Sequence, residues 1–190
     1  MIIRELTIEQ MDRIYNEHIV VDFPLSEVKP MSSIREGYEH GRYFAYGMFM
    51  GEQPEKLLAY AFFIRSTVSD TFLLDYLAVV RGNRSNGTGS LFLHELKKRC
   101  REENKKLILE VENPDYAPDE EMAKYRRKRI HFYEKNNMCV SDVSCNFYNN
   151  EYLILYDRDC EYKCPLQTEI DNVYRDFFGE KFVDENVVFH

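Results

Sequence analysis

Leu77-Ala-Val-Val-Arg-Gly-Asn-Arg84-Ser-Asn-Gly87-Thr-Gly89-Ser90 predicts an apolar strand, a turn-rich loop and the first turn of a helix. Gly87 and Gly89 can take positive φ and have no Cβ, so a ligand can lie directly against their backbone. The first N–H groups of a helix have no acceptor within the helix, and the positive end of its dipole also attracts anions. The segment therefore predicts a phosphate-binding loop.

Arg84 stands at the entrance of this loop, where its guanidinium is a permanent cation and a fork-shaped donor for phosphate oxygens. A strand-to-helix turn that binds nothing is the alternative, because short glycine patterns also occur by chance. The loop lacks the Gly-Lys-Ser or Gly-Lys-Thr ending of a Walker-type P-loop. Its glycines at 82, 87 and 89 do not fit the dinucleotide fingerprint either.

Composition narrows the class of protein. A length of 190 residues suits one domain with a full core, and a net charge of −8 argues against nucleic acid as a partner. That charge is compatible with a cationic amine substrate. No apolar run has the length of a membrane span, and the N-terminus does not resemble a signal peptide. The cysteines are scattered and lack zinc-ligand spacing, so we expect no metal site. Together these features lead us to expect a cytoplasmic protein that does not contact a membrane.

Hydrophobic periodicity predicts the element order β-α-α-β-β-β-α-β-α-β-β, followed by a helical extension. A hairpin turn is predicted at Gly51–Pro54. The strand–loop–helix–strand unit in the middle requires a parallel crossover, whereas hairpins pair antiparallel. The predicted fold class is thus α/β with a mixed, mostly antiparallel central sheet flanked by helices. We expect one domain over residues 1–157, with residues 158–190 as an extension packed on it.

The helix after the loop is predicted to be amphipathic. Leu93, Leu96 and Cys100 share one face, and Lys97 is expected on the exposed side.

Two strands carry carboxylates in otherwise apolar surroundings. Asp75 interrupts the strand 72–80, and a buried carboxylate is costly unless it is paired or functional. It either pairs with a basic neighbour or meets a cationic substrate. Glu110 lies near the carboxyl end of the strand 107–111, where ligand clefts of open α/β sheets form.

Such a position suits Glu110 as a general base. The alternative is a structural role for Glu110 as the partner of Arg126 or Arg127. Glu112 shares the face of Glu110 by strand alternation and is the second candidate for the base.

Tyr133 on its own indicates an ordinary core residue of an amphipathic helix. Its segment, Phe132-Tyr133-Glu134-Lys135-Asn-Asn137-Met138, is similar to the motif Leu/Phe-Tyr-Glu-Lys-x-Gly-Phe. Asn137 replaces glycine there, and asparagine is the next-best residue for the left-handed conformation that ends a helix. The loop Arg84-x-x-Gly87-x-Gly89 resembles the motif Arg/Gln-x-x-Gly-x-Gly/Ala. Together, in this order, the two motifs resemble the GCN5-related N-acetyltransferase (GNAT) family over residues 1–157.

The resemblance implies the GNAT, or acyl-CoA N-acyltransferase, fold, whose parallel strand pair is splayed to admit acetyl-CoA. The pantetheine arm would pair with the backbone of Leu77 and Val79, and the N–H of Val79 would stabilise the developing oxyanion. Tyr133 would protonate the departing thiolate, and Glu110 would accept the proton of the amine. The residues implied to contact the cofactor are Leu77, Ala78, Val79, Arg84, Ser85, Asn86, Gly87, Thr88, Gly89, Ser90 and Asn113.

The expected partners are thus acetyl-CoA and an amine acceptor, with the chain a monomer or a homodimer. Asp75 and Glu27 are the candidates for contact with a cationic acceptor. Two alternatives belong to other classes: a GNAT-fold sensor or scaffold that binds CoA without catalysis, and a phosphate-binding transferase that acts on nucleotides.

Overall fold

The computed structural model describes residues 1–25, 27–51, 56–84 and 86–190. The strands within this part are β1 (Ile2–Glu5), β2 (Tyr43–Met50), β3 (Lys56–Arg65), β4 (Thr71–Val79), β5 (Lys106–Glu112), β6 (Met138–Phe147), β7 (Asn150–Asp157) and β8 (Val187–Phe189). The helices are α1 (Ile8–Ile14), α2 (Val20–Asp22), α3 (Met31–Glu39), α4 (Thr88–Glu102), α5 (Glu120–Lys135), α6 (Leu166–Phe178) and α7 (Glu180–Asn186), with a π-helical turn at Tyr15–Ile19 and a 3-10 turn at Pro114–Tyr116.

The described strands form one sheet in the order β1-β2-β3-β4-β5-β7-β6-β8. Because β4 and β5 are neighbours joined by α4, they form a parallel pair. The pairs β1–β2, β2–β3, β5–β7, β6–β7 and β6–β8 are antiparallel. The predicted mixed, mostly antiparallel sheet is therefore confirmed. No helix in the described part of the chain is long and apolar enough to cross a membrane.

The chain divides into two compact units, and boundaries between them fall within β4 and α4. The first unit comprises residues 1–65 and 74–93. In it, β1, β2 and β3 form an antiparallel meander, and β2 and β3 are buried along nearly their whole length. Strands buried on both faces need cover on each side. The predicted turn at Gly51–Pro54 falls largely on residues 52–55, outside the described residues.

The second unit comprises residues 66–73 and 94–190. Its antiparallel strands β5, β7, β6 and β8 are adjacent in that order. α6 buries the helical stripe Glu169, Ile170, Val173 and Tyr174. The segment after 157 holds α6 and α7 and ends in β8, a strand that the sequence analysis missed. The boundary at 157 stays a prediction.

One predicted surface residue is in fact buried. Lys97 is 4% exposed, and its Nζ lies 2.7 Å from Asp157 Oδ1. Nζ also donates to the carbonyls of Asn136 and Asn137, at 3.1 Å each. The lysine thus holds the end of α5 to α4. Asn137, just after the end of α5, has φ +64°, so the predicted left-handed conformation at the end of α5 is confirmed.

Candidate functional site

The predicted phosphate-binding loop connects β4 to the first turn of α4. β4 ends at Val79, and burial falls from complete to partial over its last residues, including Leu77, Ala78 and Val79. The Val80 N–H donates to Leu58 O at 2.9 Å, which anchors the start of the loop to β3. α4 begins at Thr88 and includes Gly89 and Ser90.

Gly87 meets the conformational requirement that the sequence predicts, with φ +73°. A Cβ at this position would have nothing within 4 Å, so it is the backbone conformation, and not close packing, that requires glycine here. The open space also leaves the Gly87 backbone accessible from that side. Gly89, by contrast, lies in α4 and is not among the residues with positive φ. Asn86 and Gly87 are exposed, and Ser85 lies outside the described residues.

Arg84 is held by a carboxylate that the sequence analysis did not identify. Its Nη2 lies 3.0 Å from Asp22 Oδ1, and its Nε donates to Val79 O at 3.0 Å. Arg81 Nε contacts the same Asp22 oxygen at 3.2 Å, and Tyr60 OH donates to Oδ2 at 3.2 Å. The Asp22 side chain is 4% exposed, whereas Arg84 is 54% exposed. One buried carboxylate thus orients two exposed guanidinium groups at the loop, which leaves a net positive charge there.

The two candidates for acceptor contact both belong to the first unit. Asp75 is paired with a basic neighbour, since Lys29 Nζ lies 2.6 Å from its Oδ1. Tyr43 OH donates to Oδ2 of the same carboxylate. Tyr76, the next residue along β4, donates its hydroxyl proton to Glu27 O at 2.9 Å. Of the two alternatives for Asp75, pairing with a basic neighbour is therefore the one observed.

Glu110 and Glu112 have different environments. Glu112 is 6% exposed at its side chain, and its Oε2 accepts a hydrogen bond from Arg129 Nη1 at 2.7 Å. Glu110 is half-buried and lies close enough to Cys145 to act with burial in raising the pKa of that thiol. Glu112 is therefore engaged with a guanidinium.

The two arginines considered as structural partners of Glu110 make other contacts. Arg126 Nη1 donates to Asn113 O at 2.9 Å, and Arg127 Nη2 donates to Glu120 Oε1 at 2.8 Å.

Tyr133 lies on α5 and is 3% exposed. Burial raises its pKa, and the Arg129 guanidinium, which hydrogen-bonds to it, acts in the opposite direction but is outweighed. The phenol therefore keeps its proton at neutral pH, as a general acid must. Arg129, which the sequence analysis did not identify, links Tyr133 to Glu112.

Asn113 begins the 3-10 turn after β5. Its Oδ1 accepts from Asp115 N at 3.0 Å, and its backbone N–H donates to Glu151 O at 2.7 Å. The side-chain carbonyl is thus used as a cap, which leaves the amide NH₂ as the group able to meet a ligand.

The predicted site residues are distributed over the two units. The first unit holds Glu27, Asp75 and the described loop residues, and the second holds Glu110, Asn113 and Tyr133. Across the described ranges, no group of three or more His, Cys, Asp or Glu side chains is arranged to hold a metal ion.

Comparison with known proteins yields matches among solved structures. A Bacteroides thetaiotaomicron protein assigned to the GNAT family of acetyltransferases has a TM-score of 0.71 at 17% identity, covering 95% of this chain and 99% of its own. The ribosomal-protein-S18-alanine N-acetyltransferase of Escherichia coli has a TM-score of 0.58 at 17% identity, covering 86% of this chain and 98% of its own. No protein-family model and no curated protein matches the chain.

An acetyltransferase of Bacillus subtilis, solved in complex with CoA, has a TM-score of 0.56 at 13% identity. The match covers 81% of this chain and 95% of that one. At these identities the similarity establishes the fold alone, and the fold is the one that the two sequence motifs predicted.

Proposed function

We propose that this chain, whose fold is that of the GNAT acetyltransferases, is an acetyl-CoA-dependent N-acetyltransferase. It would transfer the acetyl group to a primary amine of a small molecule or peptide by direct attack of the amine on the thioester. The observation that carries the proposal is the segment from the end of β4 to the start of α4. There, a left-handed Gly87 and a half-exposed Arg84 precede a 15-residue helix.

The donor site follows from the electrostatics of this segment. The first N–H groups of α4 and the Arg84 guanidinium suit the diphosphate of CoA, which carries its negative charge at one end of a long flexible arm. The arm would pair with the backbone of Leu77 and Val79, whose part-exposed positions on β4 are compatible with such contact. The CoA complex of the Bacillus subtilis relative supports CoA as the ligand of this fold.

The acid–base roles are proposed from the chemistry of each side chain. Glu110, half-buried near the carboxyl end of β5, would take the proton of the attacking amine, directly or through a water molecule. Tyr133 would protonate the CoA thiolate, a role supported by the burial that raises its pKa. The N–H of Val79 would stabilise the oxyanion, and Asn113 would contact the pantetheine arm.

The proposed partners are acetyl-CoA and the amine, without metal, nucleic acid or membrane. We propose a monomer or homodimer in the cytoplasm, with residues 158–190 as an extension of the 1–157 domain.

Thermal-shift measurements with acetyl-CoA, CoA, ATP and NAD test the donor. We expect acetyl-CoA and CoA to raise the melting temperature and ATP and NAD to have little effect. A shift with ATP and none with acetyl-CoA would instead indicate the nucleotide transferase.

A panel of primary amines, followed by release of the CoA thiol, then tests turnover. Glu110→Gln and Tyr133→Phe should slow thiol release, whereas Tyr125→Phe, at a 57% exposed tyrosine of the same helix, should not. Acetyl-CoA binding without turnover of any amine would indicate the sensor or scaffold.

A further inference from the structure

Arg81 and Arg84 are two cations held on one buried carboxylate. Arg81 Nε lies 3.2 Å from Asp22 Oδ1, and Arg84 Nη2 lies 3.0 Å from the same oxygen. Because both nitrogens contact one atom, they are no more than about 6 Å apart. Like charges this close repel each other, and a single carboxylate neutralises only one of them. The pair therefore keeps an excess positive charge that a bound anion would neutralise.

Asp22 does not need the second cation for its own stability. Its side chain is 4% exposed, so it needs partners in place of water. Arg84 supplies an opposite charge, and Tyr60 OH donates to Oδ2 at 3.2 Å. Burial and the charge of Asp22 raise the pKa of Tyr60, so this phenol stays a neutral donor. Arg81, which is 66% exposed, is thus a cation beyond what the buried carboxylate requires.

Both guanidinium groups are held by the same two of their nitrogens. Arg84 donates from Nη2 to Asp22 and from Nε to Val79 O, the latter at 3.0 Å. Arg81 donates from Nε to Asp22 and from Nη2 to Val21 O, the latter at 3.1 Å. Neither Nη1 has an acceptor among the described residues, and both side chains are more than half exposed. Each arginine thus has a fixed plane and a donor group available to a ligand.

We infer that Arg81 is a second binding residue for the diphosphate of acetyl-CoA and that Asp22 positions it beside Arg84, an inference that rests on the proposed acetyl transfer. A diphosphate has two anionic groups joined by one oxygen, so its charges lie close together, as these two cations do. Each guanidinium can donate to one phosphoryl group in a charge-assisted hydrogen bond. The 3′-phosphate of CoA is separated from the diphosphate by a ribose, which favours the diphosphate as the partner of both.

The positioning role of Asp22 predicts an effect opposite in sign to that of its charge. Removal of a negative charge beside an anion site should strengthen binding if charge alone matters. If Asp22 fixes the two guanidinium groups, its removal should weaken binding, because freed side chains lose conformational entropy when they bind. Asp22→Asn keeps an oxygen acceptor and Asp22→Ala does not. Positioning therefore predicts weaker binding in Asp22→Ala than in Asp22→Asn, whereas charge predicts the same strengthening in both.

Calorimetric titration of the full chain with CoA and with dephospho-CoA, which lacks the 3′-phosphate, tests the inference. Arg81→Ala should weaken the binding of both ligands at least about 10-fold, as expected for the loss of one charge-assisted hydrogen bond. Asp22→Ala should weaken CoA binding by a similar factor, and Asp22→Asn should stay close to the native affinity.

Arg35→Ala is the matched control, because Arg35 belongs to the same unit, is 46% exposed and pairs with Asp12 at 3.1 Å. It should leave both affinities unchanged. Urea unfolding without ligand verifies that each variant is folded.

Arg81→Ala that binds CoA as tightly as the native chain would make Arg81 only an anchor for α2 and would overturn the inference. A loss of affinity for CoA but not for dephospho-CoA would assign Arg81 to the 3′-phosphate and overturn it too. Native affinity in Asp22→Ala would refute the positioning role. Absence of CoA binding to the native chain would instead remove the proposed function itself.

Discussion

Replacing Glu169 by Gln should produce a large, pH-dependent loss of stability. Glu169, on α6, is 4% exposed. Its Oε2 accepts from Ser69 Oγ at 2.6 Å and from Thr71 Oγ1 at 2.8 Å, and Lys106 Nζ lies 2.9 Å from Oε1. The carboxylate therefore joins α6 to β4 and β5 within the second unit.

The size of the effect follows from its pKa. Burial opposes ionisation of Glu169, but the hydrogen bonds from Ser69, Lys106, Thr71 and Cys164 outweigh it and lower the pKa from 4.5 to about 2. At about 1.4 kcal/mol per pH unit, this lowering corresponds to about 3 kcal/mol of folding free energy. Because the folded-state pKa is the lower one, the contribution is complete above about pH 4.5 and disappears as the pH falls through about 2.

Urea unfolding of the native chain and of Glu169→Gln, from pH 7 down to pH 2, measures this contribution. The glutamine imitates the protonated acid, so the difference in unfolding free energy should be about 3 kcal/mol at pH 7 and shrink toward zero near pH 2. Glu120→Gln is the control, because Glu120 is 68% exposed in its pair with Arg127 and should cost less than about 1 kcal/mol. A Glu169→Gln difference that stays constant with pH would refute the reasoning.

Three further predictions concern the proposed acid–base residues, the glycine loop and the buried pair of Lys97 with Asp157. Tyr133→Phe and Glu110→Gln should each slow thiol release about 10²-fold in a stopped assay, with acetyl-CoA affinity unchanged in calorimetry. Gly87→Ala should lower the free energy of unfolding by about 1 kcal/mol, since φ is +73° and the added Cβ meets nothing, and an unchanged urea midpoint would contradict this. Asp157→Asn should cost about 3 to 5 kcal/mol in urea unfolding, because it removes the carboxylate 2.7 Å from the buried ammonium of Lys97 and leaves the exposed Asp159 at 3.8 Å. A cost below about 1 kcal/mol would show that Asp159 and the carbonyl contacts suffice.

Local sequence patterns predicted the elements that depend on local physics. The alternation of apolar residues and the glycine loop predicted β4, the turn and α4, and the left-handed Asn137 followed from the helix-ending motif. These features depend on the conformational preferences of neighbouring residues, which the sequence displays directly. The terminal strand β8 was missed because three residues carry too little alternation to distinguish a strand from a tail.

Pairings between distant residues were the part that the sequence could not supply. Lys29 and Asp75 are 46 positions apart, and Arg84 and Asp22 are 62 apart, so nothing local indicates that they meet. Lys97 was predicted to be exposed because helical periodicity identifies a polar position but not the carboxylate that meets it there. The position of Asp22 in an apolar stretch, Val20-Val21-Asp22-Phe23, was the available indication that this residue is buried.

Calorimetric titration with acetyl-CoA tests the central claim most directly, with Arg84→Ala and Arg35→Ala measured beside the native chain. Arg35 is 46% exposed and lies 3.1 Å from Asp12, so it matches Arg84 in exposure and in the length of its ion pair, although Asp12 is itself 41% exposed. A charged hydrogen bond contributes about 1.5 to 3 kcal/mol, so Arg84→Ala should weaken binding at least about 10-fold and Arg35→Ala should leave it unchanged. We predict saturable binding of acetyl-CoA to the native chain, with weaker binding to Arg84→Ala and unchanged binding to Arg35→Ala. No binding, or equal affinity in all three proteins, would contradict the assignment of the glycine loop as the CoA diphosphate site.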